Sequence, residues 1–247
     1  MRRCILAIMA LVALSASAEE VKKNAVDSLS NNTRVISMPN TEWLSPYNKV
    51  VIEGPVNVTF KRVENNEGLK IVYDQRGGNI SRFRAGVDKN GVLTISERMD
   101  IQHNGPITDV TLWYSTLEDI TVVRSTVVFE DEVESRLLDL KVRSGATVTL
   151  DIDVMDALVE CSGKSRLQIG GQARYFSLTI STAKMDGFDL QTVAANVDAS
   201  HEAEVRISVS ERLEAMTSTS AKLLYKGTPT ILRNKNSLFG GEITAVK

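Results

Sequence analysis

Arg143, Ser162, Ser181, Ser200 and Ser218 stand 19, 19, 19 and 18 positions apart, and their neighbours repeat with them. Five places before each lie Leu138, Ala157, Phe176, Ala195 and Leu213. Three before lie Leu140, Val159, Leu178, Val197 and Ala215, and immediately before lie Val142, Cys161, Ile180, Ala199 and Thr217. Five places after come Val148, Leu167, Asp186, Val205 and Leu223, and seven after come Leu150, Ile169, Phe188, Ile207 and Tyr225. Only Asp186 clearly breaks the apolar columns. A fixed period near twenty with apolar residues held in place is the mark of stacked coils. Inside each period, apolar and polar residues alternate in two runs, the pattern of strands with one covered face.

These columns predict an all-β fold, a single-stranded β-solenoid with parallel pairing between coils of ~19 residues. A lone coil would leave both backbone edges unpaired and its apolar stripe open, so only stacking makes it stable. Right-handed winding is expected, since parallel crossovers favour that hand. The regular repeat runs over 117–247. Residues 46–116 read as less regular first coils of the same solenoid domain (46–247), and 19–45 as an irregular lead-in.

The opening MRRCILAIMALVALSASAEE carries two arginines, an apolar run from Ile5 to Leu14 and then Ala16-Ser17-Ala18. That is the order of a signal peptide over residues 1–18, cut after Ala18. The run is too short to cross a bilayer as a helix, so the mature chain is expected to hold no integral membrane segment. Removing it takes away two arginines, leaving 27 basic against 31 acidic side chains. No basic stripe offers itself to nucleic acid. Of the two cysteines only Cys161 survives, which excludes an internal disulfide and reads as a small buried hydrophobe.

Gly163-Lys164-Ser165 resembles the end of a phosphate-binding loop. The first glycine of such a loop would fall at position 158, which is Leu158, and the residues after the lysine alternate like a strand rather than a helix. The tripeptide therefore reads as a turn between two strands of one coil.

Upstream, Val50-Val51-Ile52, Val56–Phe60 and Leu69–Tyr73 alternate, Lys89-Asn90-Gly91 signals a turn before Val92–Ile95, and Thr108–Tyr114 alternates again. These segments fit wider coils or a small capping meander, and wider coils are the expectation. The stretch VVIEGPVNVTFKR (Val50–Arg62), with Asn90–Ile95, Asp119–Val122 and the Ser/Gly-bearing repeats after them, resembles the autotransporter-adhesin head GIN domains of exported Bacteroidetes proteins. The likeness spans roughly residues 48–230. It implies a β-solenoid at the cell envelope with an adhesin-like role, although the turns Thr182-Ala183-Lys184 and His201-Glu202-Ala203 hold fewer glycines than that family's pattern.

No set of residues assembles into a catalytic constellation. His103 and His201 are the only histidines; His201-Glu202 opens like a metalloprotease helix, but Val205 stands where the second histidine belongs. Asp151, Asp153 and Asp156 lack the glycine and the distal glutamate of a calcium loop, so they read as solvated surface, as do Glu130, Asp131, Glu132 and Glu134. Trp43, Tyr47, Trp113 and Tyr114 read as cover for an end of the core. No residue is assigned a catalytic, cofactor-binding or metal role. The expected function is a non-enzymatic, exported cell-envelope scaffold in the periplasm, at the outer membrane or on the cell surface, binding a glycan or an envelope or host protein of unknown identity. Two alternatives stay open: a polysaccharide-active enzyme with a groove gathering acids such as Asp151, Asp153 and Asp186 opposite aromatic rings, and a structural envelope component that self-associates.

Overall fold

The computed structural model describes residues 39–76, 82–98, 107–234 and 239–246. The leader over 1–18, the lead-in up to residue 38 and His103 lie outside the described residues. In chain order the strands are β1 (Asn40–Trp43), β2 (Lys49–Glu53), β3 (Val56–Arg62), β4 (Lys70–Asp74), β5 (Phe83–Val87), β6 (Val92–Glu97), β7 (Thr108–Tyr114), β8 (Asp119–Val123), β9 (Thr126–Phe129), β10 (Val133–Arg143), β11 (Thr147–Ser162), β12 (Arg166–Ser181), β13 (Lys184–Ser200), β14 (Glu204–Thr217), β15 (Lys222–Lys226), β16 (Ile231–Asn234) and β17 (Glu242–Ala245). All join one sheet that winds on itself.

From β8 onward the chain is a parallel β-solenoid. Thr147 opposes Arg166, and Val142, Cys161 and Ile180 oppose one another in turn, each one coil of nineteen residues apart. Ala199 and then Thr217 continue that column, and all five side chains are buried. Three faces make up each coil. The first holds β8, the ends of β10 to β14, and β16. The second holds β9, the starts of β11 to β14, β15 and β17, and the third holds the middle segments 133–135, 152–154, 171–173, 190–192 and 208–209.

Corners set the coil length. Between the first and second faces the chain turns through left-handed residues: Ser144-Gly145, Gly163-Lys164, His201-Glu202 and Thr219-Ser220 in pairs, but Arg124 and Thr182 singly. A buried small residue follows each turn, forming the column Ser125, Ala146, Ser165, Ala183, Ala203 and Ala221. These small side chains occupy the place where two faces converge. The Ser125 hydroxyl donates to the Gly54 carbonyl at 2.6 Å and the Ser165 hydroxyl to the Val142 carbonyl at 3.0 Å, so both buried oxygens are satisfied.

The single-residue corner at Thr182 explains Asp186. With one turn residue fewer, Gln168 opposes Asp186, and Met185 takes the inward place opposite Leu167. Phe188, expected in the core column with Ile169 and Ile207, is half-buried on the outside, because Gly187 opposes Ile207. Its ring lies under the Lys226 ammonium at 4.2 Å.

The N-terminal part departs from simple winding. β2 pairs in parallel with both β6 and β8, and β3 with both β7 and β9. The rung formed by residues 49–62 is thus inserted between 92–114 and 119–129, so these coils are not stacked in chain order. Beyond them β5 lies antiparallel on β6, β4 antiparallel on β7, and β1 antiparallel on β4. The segment expected as wider coils is therefore two coil rungs plus an antiparallel cap of short strands, which blunts a sheet edge that would otherwise invite pairing. Inside these rungs Phe60 stacks on Phe129 at 4.2 Å and meets Tyr114 edge-on at 5.8 Å. The rings fill an interior that lacks the third face.

Two substitutions read this geometry. Thr217 closes the Val142 column with a fully buried hydroxyl that has no partner. Thr217→Val keeps the shape and removes that penalty, so it should stabilise by about 1 kcal/mol in urea denaturation. Gly171 turns the corner from second to third face at φ +89°, and a Cβ there would sit 2.2 Å from the Ile152 carbonyl oxygen. Gly171→Ala should cost roughly 3 kcal/mol or more in the same measurement.

Candidate functional site

Outward positions follow the same stacking as inward ones, so each face carries ladders of equivalent side chains. On the first two faces, several bases meet acids across coils, although Arg166 opposes Lys184 and Asp119 opposes Asp139. Arg143 reaches Glu160 at 2.7 Å, Lys184 reaches Glu204 at 2.8 Å, and Arg206 reaches Asp186 at 3.2 Å. Arg212 and Arg233 both reach Glu214. Exposed pairs of this kind stabilise little, and here they offset part of the repulsion between like charges stacked in successive coils.

The third face is different. Glu134 opposes Asp153, Asp153 opposes Gln172, Gln172 opposes Gln191 and Gln191 opposes Ser208, giving one polar side chain per coil over five rungs. They line a groove of about 1190 Å³. Its flank, at the corner leading to the first face, carries Arg136, Met155, Arg174, Val193 and Ser210 in successive coils, while Lys226 and Thr228 close the C-terminal end. The Arg174 guanidinium lies 5.6 Å from the Tyr175 ring, which steadies it. Around that corner a smaller depression of about 460 Å³ is lined by Leu137, Leu158 and Tyr175, all exposed.

Residues singled out by sequence fall mostly outside this groove. Cys161 is buried, and burial pushes its thiol up to about 12. Gly163 and Lys164 are exposed turn residues. His201 sits in a left-handed turn with its Nδ1 against the Ser181 and Ser200 hydroxyls at 3.2 and 3.1 Å. The cluster Asp151, Asp153, Asp156 is dispersed around two corners, and only Asp153 lines the groove; Asp156 lines the smaller depression. Asp186 faces out on the second face beside Arg206. No three acidic, histidine or cysteine side chains gather to hold a metal among the described residues.

The acidic patch at 130–134 is largely neutralised by β3. Lys61 pairs with Glu130 at 2.9 Å, the Arg62 backbone N–H donates to Asp131 at 2.7 Å, and the Arg62 guanidinium forks onto Glu134 at 2.5 and 2.9 Å. That fork holds the Glu134 carboxyl below its ordinary range. Of the aromatic residues expected to cover the core, Tyr47 and Tyr114 are buried, but Trp43 is 71% exposed. Trp113 faces outward beside the Lys70 ammonium, 4.4 Å from its ring. The correction follows from strand parity, since neighbours in a strand point to opposite faces.

Sequence reading missed the Gln172–Gln191 ladder. Its signal is the nineteen-residue spacing of the two glutamines, a polar column with the same period as the apolar ones.

The thiol gives a test of the coil interior. With residues 1–18 removed, Cys161 should react with a thiol reagent at pH 8 only after denaturation. Its folded pKa lies above the ordinary 9.0, so its contribution to stability is complete below pH 9 and is lost as pH rises towards 12. Cys161→Val should flatten that part of an alkaline unfolding curve followed by circular dichroism.

No curated protein matches the chain. Solved structures with the same fold include an adhesin, described as putative, from Bacteroides fragilis NCTC 9343 (15% identity, TM-score 0.77, covering 85% of this chain and 96% of that one). Another so described, from Parabacteroides merdae ATCC 43184, has 14% identity and TM-score 0.70 over 87% of this chain and 98% of its own. A third, from Parabacteroides distasonis ATCC 8503 and described as a putative lipid binding protein, has 16% identity and TM-score 0.64 over 87% and 98%. Residues 46–229 match the family described as "Putative auto-transporter adhesin, head GIN domain", and the chain belongs to that family.

Proposed function

We propose that this chain is a non-catalytic binding scaffold of the cell envelope, exported by its first 18 residues, that engages its ligand through the third-face groove. The groove's construction carries the reading. Five rungs of hydrogen-bonding side chains stand on strands that pair with neighbours, so the surface is ordered before a ligand arrives.

Sugar cleavage needs two carboxyl groups converging on one ring. Asp153 and Glu134 are the acids lining the groove, and Glu134 is already bonded to Arg62. Asp151 and Asp186 lie elsewhere, and no aromatic ring lines the groove among the described residues. This distribution favours binding over hydrolysis. The adhesin description of the family supports the same role. The lipid-binding description of one relative points to another ligand class, but a floor of Gln172, Gln191 and Ser208 suits hydroxyl-bearing partners better than acyl chains.

Screening the protein against bacterial and host glycans and matrix proteins should yield a binder. Gln172→Ala combined with Gln191→Ala should weaken that binder about tenfold or more, with the thermal midpoint unchanged. A screen without any binder, or a binder indifferent to both glutamines, would remove the reading.

A further inference from the structure

Resting on the groove as the binding site, we infer that its ligand is an acidic polysaccharide, an extended sugar chain carrying carboxylates and lying along the solenoid axis. The charge of the groove points to this. The protein as a whole holds more acids than bases. The groove is lined by three bases, Arg136, Arg174 and Lys226, against Asp153 and a Glu134 that Arg62 already neutralises. Among the described residues, no carboxylate lies within ion-pair distance of those three bases. Of the bases on the other faces, Arg143, Lys184 and Arg206 each have one, while Arg166 and Lys222 have none among the described residues.

The spacing of the arginines also fits a linear polymer. Ser135 opposes Val154 and Val154 opposes Ala173, so Arg136 and Arg174 stand two coils apart on one flank, roughly 10 Å at the usual strand separation. Met155 sits between them. A linear ligand along the axis would meet Arg136 and Arg174 two coils apart with Asp153 and Met155 on the rung between, and then Gln172, Gln191 and Ser208 from the Arg174 coil onward, which suits a polymer of hydroxyls carrying acids at intervals. Guanidinium forks hold carboxylates in two parallel hydrogen bonds.

Other polyanions fit less well. The floor strands β11, β12 and β13 pair on both sides, so they have no free edge to hydrogen-bond a peptide backbone. With no ring lining the groove among the described residues, nucleic-acid bases find no stacking platform there.

Titration calorimetry with oligogalacturonate, a neutral manno-oligosaccharide of equal length and poly-glutamate tests the inference. Oligogalacturonate should bind best and weaken as salt is raised. Arg136→Ala and Arg174→Ala should each reduce its affinity about tenfold. Asp153→Asn should raise it, about twofold to threefold, an effect that loss of folding cannot produce. Glu204→Gln, outside the groove, should leave it unchanged. Equal or tighter binding of the neutral oligosaccharide through Gln172 and Gln191 would overturn the inference while keeping the groove as the site. Equal binding of poly-glutamate would reduce the preference to charge alone and overturn it. Binding indifferent to both arginines, or binding by none of the three probes, would also overturn it.

Discussion

Parallel, in-register backbone pairing between successive coils is the constraint on which the molecule depends. A strand in a coil has no hairpin partner, so its N–H and C=O groups must be met by the coils before and after it. Pairing at constant register forces like side chains to stack, and the inside of the stack becomes a set of continuous columns. Val142, Cys161, Ile180 and Ala199 are one such column. Burying it requires both neighbours, which is why the stack is stable and a single coil is not.

Variation in coil length is absorbed at the corners. A turn with two left-handed residues and a turn with one both deliver the chain to the same buried small residue, as Ser165 after Gly163-Lys164 and Ala183 after Thr182 illustrate. The faces therefore stay in register while the spacing along the chain slips by one. The N-terminal end meets the opposite problem, an exposed sheet edge, by folding back antiparallel strands over it. There the aromatic cluster of Phe60, Tyr114 and Phe129 takes the volume that a third face occupies elsewhere.

The same register that packs the core writes the surface. On two faces it sets base beside acid across coils, and on the third it aligns amides and hydroxyls in a groove. Function in such a fold lies in which outward residues recur, because the backbone offers every face the same scaffold.

The amino-acid sequence by itself determined the solenoid, since a period of nineteen in the apolar residues can be satisfied only by stacking like on like. It also determined that Gly163-Lys164-Ser165 is a turn, because alternating strand runs flank it, and that Cys161 faces inward, by parity within its strand. Three matters were decided by the tertiary structure alone. Asp186 and Phe188 face outward because a corner lost one residue, and left-handed turns have no strong sequence signature when threonine or lysine adopts them. The rung of residues 49–62 lies between two rungs that follow it in the chain, since pairing order depends on free edges in space. The groove brings Arg136, Gln172, Gln191 and Lys226 together because pairing between coils aligns them along one face, and that alignment belongs to the stack rather than to any single coil.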